Sequence, residues 1–185
     1  DESDAPAPAN QRSRDRVVAE QQWLDLGARA GKRVDVLRLS GIYGPGQNAL
    51  VNLAEGAARR IVKPGQVFNR IHVEDIARAI AACFAGRGSG GVLNVTDDEP
   101  APPQDVIVYA ANLMGIAPPP ELDFATADLS PMARSFYGET KRVSNRRLRE
   151  VYGVDLGYPT YREGIAALWK AGDGRQAASA PSPTM

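Results

Sequence analysis

One cysteine and one histidine are all that these 185 residues offer of the side chains that most often ligate metals or attack substrates. Cys83 has no disulfide partner within the chain and falls in a helical pattern, so it reads as a small core residue. His72 with scattered carboxylates is too few ligands for a metal, and none is expected; a hydrogen-bonded buried imidazole, a proton relay and a metal ligand are the readings weighed for it. No apolar run approaches the roughly 18–20 residues that span a bilayer, so no membrane partner is expected. Net charge is absent as well. Lys+Arg 22 balances Asp+Glu 22, which leaves no electrostatic case for nucleic acid or an anionic membrane surface. A reducing, cytoplasmic setting fits the single cysteine. The chain opens Asp1-Glu2-Ser3-Asp4, without Met or a signal peptide, and reads as the middle of something. Also missing is a strand–Gly-x-Gly-x-x-Gly–helix unit. Gly86-Arg87-Gly88-Ser89-Gly90-Gly91 follows a helix and precedes a strand, the reverse of a pyrophosphate cradle, and reads as a flexible connection.

What is present alternates between helical and strand patterns. Hydrophobic residues at 43% and charged residues at 24% suit one globular domain. The organising stretch is Val34–Gly46. Val34, Val36, Leu37 and Leu39 read as a buried strand, which Tyr43-Gly44-Pro45-Gly46 then ends in a loop. In an open α/β sheet, ligands bind beyond the carboxyl ends of the strands, so this loop is the first candidate contact. Gln11–Arg29 predicts a helix before it and Asn48–Arg60 another after it. Ile61–Val62 and Val67–Ile71 bracket the turn Lys63-Pro64-Gly65. Val73–Phe84 predicts a helix with Val73, Ile76, Ala77, Ile80, Ala81 and Phe84 on its apolar face, and Glu74 and Asp75 complementing its dipole. Gly91–Thr96 predicts a buried strand, ended by Asp97-Asp98-Glu99, which is read as a solvated terminus. Pro103–Met114, a short helix within 127–134, Asn145–Tyr152 capped by Ser144, and Tyr161–Trp169 complete the helices.

Four blocks in one order carry a family resemblance. They are Arg38–Gly46, then Arg70-Ile71-His72-Val73-Glu74-Asp75-Ile76-Ala77, then Gly91-Val92-Leu93-Asn94-Val95, and last Pro159-Thr160-Tyr161-Arg162-Glu163-Gly164-Ile165. Together they resemble extended or atypical short-chain dehydrogenases/reductases of the NAD-dependent epimerase/dehydratase group, over about residues 10–170. The resemblance implies the C-terminal part of such a protein, without the half that carries the glycine fingerprint, and NAD or NADP as cofactor. It implies that Arg16, Leu39 and Ser40 lie at the cofactor, and Gly41, Ile42, Tyr43, Arg70 and Ser135 at the substrate.

The family's catalytic Tyr-x-x-x-Lys is where the sequence departs. With Glu20 as anchor, the Lys position falls on Arg16 and the Tyr position on Arg12. An arginine does not release a proton near neutral pH, so the catalytic group is unknown. Gly41 stands where the family often has a substrate-gripping Asn, and Phe68 where it has a phosphate-gripping Arg; Arg70 shares a strand face with Phe68. Arg134-Ser135-Phe136-Tyr137 with Lys141–Arg147 forms a cationic cluster, read either as an anion-binding lid or as a solvated surface.

The expectation is therefore an α/β chain: the C-terminal part of a Rossmann-type parallel sheet with a small, mostly helical substrate-binding lobe. Residues 1–10 are an extended lead-in, 11–115 the Rossmann-like part, 116–171 the lobe and 172–185 a disordered tail. The function expected is an NAD(P)-dependent oxidoreductase or epimerase/dehydratase acting on a small carbonyl or hydroxyl substrate. The alternative is a non-catalytic NAD(P)-binding sensor or scaffold. The partners expected are a small-molecule substrate and, at most, a second copy in a homodimer.

Overall fold

The structure, a computed structural model, describes residues 1–175. Of the expected tail, 176–185 lie outside the described residues. Residues 172–175 form an ordered turn in which the Asp173 carboxylate accepts from Gly46 N at 2.9 Å and Asn48 Nδ2 at 2.6 Å. In chain order the elements are α1 (Gln11–Ala30), β1 (Asp35–Leu39), β2 (Gly41–Tyr43), α2 (Ala49–Ala54), β3 (Arg60–Val62), β4 (Arg70–His72) and α3 (Val73–Phe84). They continue with β5 (Gly91–Val95), α4 (Pro103–Met114), β6 (Glu121–Asp123), α5 (Pro131–Phe136), α6 (Arg146–Glu150) and α7 (Tyr161–Ala171).

Among the described residues every pairing between named strands is parallel, and the isolated bridges Gly44↔Gln47 and Phe68↔Ala101 are antiparallel. β1 pairs with β5 from Asp35↔Gly91 to Leu39↔Val95, β2 with β4 from Gly41↔Arg70 to Tyr43↔His72, and β3 with β6. Residues 35–43 are one extended run that changes partner at Ser40. Ser40 N still donates to Val95 O at 3.1 Å, whereas Gly41 N turns to Asn69 O at 3.1 Å. On the other side Asp97 N donates to Arg70 O at 2.7 Å. β4 is thus wedged between the carboxyl ends of the β1–β2 and β5 runs. That wedge opens the strand ends into a crevice.

Among the described residues four apolar cores result, the fourth of them Ala101, Val106 and Tyr161 packed with Ala49 and Tyr109. Ile71, Ile76, Ala79, Leu93, Val95, Leu148 and Tyr152 join the sheet to α3 and α6. Tyr43, Leu50, Ala110, Ile165 and Leu168 join α2, α4 and α7 to the end of β2. Ile61, Ala127 and Tyr137 pack with Phe68 and Phe124 beside β3 and β6. A side chain such as Leu93 at 0% exposure contributes roughly 1.5–3 kcal/mol by burial. The second and third cores both span position 115, since α4 packs on α7 and β3 pairs with β6.

Several elements differ from the sequence patterns. The expected helix Asn48–Arg60 stops at Ala54, because Gly56 takes φ 67 and Ala57 N and Ala58 N fold back onto Asn52 O. The expected strand Val67–Ile71 narrows to β4, because Gln66 and Val67 bond instead to Glu139 and Thr140. The buried side of α3 is Asp75, Ile76, Ala79 and Ala82, while Val73, Ile80 and Phe84 are exposed. The helix is turned by Asp75, whose carboxylate is fully buried. Asn145, not Ser144, stands at the α6 N-cap, and its side chain reaches away to Thr96 O and Asp98 Oδ1. β6 lies in a segment that carries no strand pattern. Among the described residues, no helix is long and apolar enough to cross a membrane.

Candidate functional site

The carboxyl ends of the parallel strands carry the candidate cofactor contacts. α1 runs antiparallel to β1: Gly27 lies against Val34, and Glu20 holds Arg38 through two bonds to Oε2 at 2.7 and 3.0 Å. Arg16, one helical turn before Glu20, therefore overhangs the end of β1, and its side chain is exposed. Leu39 at 39% and Ile42 at 46% exposure give this rim an apolar surface. Ser40 is half-buried between them, and Gly41 is exposed.

Beyond β2 lies a cavity of about 370 Å³, lined among others by Ile42, Tyr43, Arg59, Arg70, Val106 and Tyr161. The structure thus brings together Ile42, Tyr43 and Arg70 of the predicted substrate residues, with Gly41 paired to Arg70 in the ladder. Ser135 does not line it; its hydroxyl sits on α5 and donates to Met132 O at 2.7 Å. Arg16, Leu39 and Ser40 lie outside the cavity, at the rim.

The lining holds two cations: Arg59, exposed and donating through Nη1 to Asp128 O at 2.6 Å, and the half-buried Arg70. Arg70 Nη1 donates to Phe68 O at 3.0 Å and Ala101 O at 3.1 Å, and its guanidinium lies 5.9 Å from the Tyr161 ring centre. Among the described residues it forms no ion pair. Burial lowers its pKa, partly offset by the field of Asp97. Asp97 is 1% exposed rather than solvated, and its Oδ2 has no partner among the described residues. Desolvation pushes its carboxyl up to about 7, although Glu99 N and Arg70 act against the shift.

Tyr43 packs edge-on to His72 with ring centres 5.1 Å apart, and burial followed by the field of Asp97 raises its pKa. A phenol so shifted is a poor proton donor near neutral pH. His72 caps α3: its Nδ1 accepts from Glu74 N at 3.2 Å, so the ring proton sits on the buried Nε2. Burial lowers the His72 pKa, with Glu74 and Asp75 opposing, and the ring is a neutral structural cap.

Part of the cationic cluster is used internally, while Lys141, Arg142 and Arg146 are exposed. Arg134 donates to Phe124 O and Ala127 O, Arg147 to Gly90 O, and Arg149 pairs with Asp98 at 2.8 Å. The strap 139–143 is fastened by Asn69, which donates to Lys141 O and accepts from Val143 N, both at 2.9 Å. Arg142 projects from this strap, exposed. Asn69 and Tyr161 escape sequence reasoning because groups far along the chain meet them, Lys141 and Val143 at Asn69 and Arg70 and Tyr109 at Tyr161. Asp97 escapes it because its burial is set by packing rather than by its neighbours in sequence. The one local hint is that Tyr161 falls in the Pro159–Ile165 block.

Gly164 lets α7 approach Tyr43: a Cβ there would lie 2.0 Å from the Tyr43 hydroxyl. Gly164→Ala gains up to about 1 kcal/mol of helix propensity. It also displaces a packed ring, a cost of about 1–3 kcal/mol. The expected outcome is a lower thermal midpoint, the opposite of a free helical Gly→Ala change, checked by circular dichroism.

No protein-family model matches the chain. A functionally unknown conserved protein from Silicibacter pomeroyi shares 54% identity and superposes with TM-score 0.86, over 93% of this chain and 60% of that one. RMD from Pseudomonas aeruginosa, solved with NADPH, superposes with TM-score 0.71 at 19% identity, over 95% of this chain and 60% of its own. Solved 4-epimerases and a 4,6-dehydratase bound to NAD have the same fold. The chain has the fold of the C-terminal part of epimerase/dehydratase-type short-chain dehydrogenases/reductases. Among curated proteins, the chain is 29% identical over 143 residues to a 3-diazoavenalumate denitrifying reductase from Streptomyces, matching 70% of this chain and 45% of the relative. It spans about half the length of that relative. The rim sets the exposed apolar surface of Leu39 and Ile42 beside an exposed Arg16, and among the described residues no glycine-rich strand-to-helix turn is present.

Proposed function

We propose that this chain supplies the substrate side and the nicotinamide rim of an NAD(P)-dependent oxidoreductase or epimerase/dehydratase acting on a small carbonyl or hydroxyl compound. The observation that carries the reading is the opening at the carboxyl ends of the parallel strands, where β4 wedges between the β1–β2 and β5 runs. The reductase, epimerase and dehydratase relatives support the same class. Leu39 and Ser40 would border the nicotinamide, and Arg16 would reach a ribose hydroxyl or a phosphate. NAD or NADP, when bound, supplies or accepts the hydride. Ile42 and Arg70 would orient the substrate and exclude water from the cavity.

A second reading, a non-catalytic NAD(P)-responsive sensor or scaffold, is favoured by one feature: Arg12 and Arg16 occupy the places of the family's Tyr and Lys. Titrating the complete protein with NADH and NADPH by fluorescence, then following nicotinamide absorbance with a panel of carbonyl compounds, separates the two. Binding with oxidation of the cofactor is expected. Binding without hydride transfer to any compound supports the sensor, and no binding of either nucleotide sinks both.

A further inference from the structure

We infer that the cavity between β2, α2, α4 and α7 receives the carboxylate of an apolar carboxylic acid, with Arg70 as the group that recognises it. The inference rests on the proposed function only in taking this cavity as the substrate's. Most cations in this chain are paired with carboxylates or are exposed, as is Arg59, the other cation of the lining. Arg70 is different: it is half-buried, lines a cavity and forms no ion pair among the described residues. Two carbonyls grip one edge of its guanidinium, Phe68 O at 3.0 Å and Ala101 O at 3.1 Å. The rest of that planar fork is pre-organised, so a ligand acceptor does not have to freeze a long side chain.

The walls set the rest of the ligand. Ile42, Val106, Ile107 and Ile165 are apolar, Tyr161 adds an aromatic surface, and Gln47, Asn48 and Asn52 add amides. A cavity of about 370 Å³ suits a small organic molecule. A phosphate dianion fits poorly. Of the two guanidiniums in the lining, Arg59 is exposed and bonded to Asp128 O, Arg70 has one edge occupied, and Asp97, whose backbone N–H donates to Arg70 O at 2.7 Å, opposes a second negative charge beside Arg70. A monoanionic carboxylate on an aromatic or aliphatic body meets both the half-buried Arg70 and the apolar walls.

The test is isothermal titration of the full 185-residue chain, without nicotinamide, with cinnamate, cinnamamide and inorganic phosphate. Cinnamate is expected to bind, with the amide weaker by about tenfold or more, as for loss of one charge-assisted contact. Phosphate is expected to bind no better than the amide. Arg70→Gln brings cinnamate down to the level of the amide, whereas Arg142→Gln, on the exposed strap, leaves it unchanged. Because Arg70→Gln also loosens Phe68 and Ala101, Ala57→Trp is the second variant. Ala57 is an exposed residue at the cavity wall, and the indole fills the space without touching the fold's core. It should abolish cinnamate binding with an unchanged unfolding midpoint. Equal affinity for acid and amide overturns the inference. So does tighter binding of phosphate than of cinnamate, survival of cinnamate binding in both Arg70→Gln and Ala57→Trp, or no binding of cinnamate at all. A failure of hydride transfer in the complete protein leaves these titrations untouched, so the two readings fail separately.

Discussion

Replacing Asp75 by alanine lowers the unfolding free energy by about 3–5 kcal/mol, the range for stripping a partner from a buried charged network. The carboxylate is 0% exposed. Its Oδ1 accepts from Gly157 N at 2.7 Å and Arg78 Nη1 at 2.8 Å, and its Oδ2 from Tyr158 N at 3.0 Å. Arg78 is 43% exposed, so the ion pair itself contributes little. The backbone donors carry the effect, since alanine leaves two of them without an acceptor in a site closed to water. Asp75→Asn keeps one acceptor but turns an amide N–H toward a backbone N–H, and is expected to cost about 2–3 kcal/mol. Urea midpoints of the two variants check the order. A change below about 1 kcal/mol for alanine shows that the 156–158 segment is held by something else. The same segment leads through Pro159, whose carbonyl accepts Asp98 N at 2.8 Å, into α7 and Tyr161. The alanine variant is therefore also expected to loosen the cavity wall.

Asp97→Asn makes the protein more stable at alkaline pH relative to its own parent. The Asp97 carboxyl is raised from 3.8 to about 7 in the fold, chiefly by desolvation. Below the lower value both states hold the proton. Between the two values the unfolded chain is ionised while the fold keeps its proton, so the fold binds more protons and stability falls as pH rises. Above about 7 both states are ionised and the full penalty is present, about 4 kcal/mol at 1.36 kcal/mol per unit. From pH 5 to pH 8 the variant is expected to gain about 3 kcal/mol on the parent. His72 works with the opposite sign. Its lowered pKa adds stability above the unfolded histidine value and loses it as pH falls. The parent-minus-variant difference cancels that contribution. Guanidinium unfolding at both pH values measures it, and a difference that does not move with pH removes Asp97 as a titrating buried group.

Local chemistry explains which parts of the fold could be read from residues alone. The run Val34–Tyr43 declares a strand by its apolar content and its glycine stop. Pro103 and Gly115 mark the ends of α4, and Thr160 with Glu163 forms the capping box that starts α7. Each of these signals acts within one turn of backbone. The α3 stripe misleads for a related reason. Periodicity shows which residues are apolar but not which face the helix turns inward, and Asp75, bonded to residues 157 and 158, overrules Val73, Ile80 and Phe84. The candidate site divides the same way. Ile42, Tyr43 and Arg70 are legible because they sit in ordered motifs, whereas Ser135 is carried by a cluster whose arginines turn out to bond their own backbone.

Composition and pattern were enough to establish an α/β chain, its parallel strands and the loop after Tyr43, because helix stops, caps and apolar periods are properties of neighbours along the chain. Tertiary structure alone decided that β4 splits the sheet ends, that Asp97 loses its water and that Arg70 keeps a free edge toward a cavity. Those outcomes depend on which distant groups meet, and the desolvation they impose is set by three-dimensional packing that no single stretch of residues encodes.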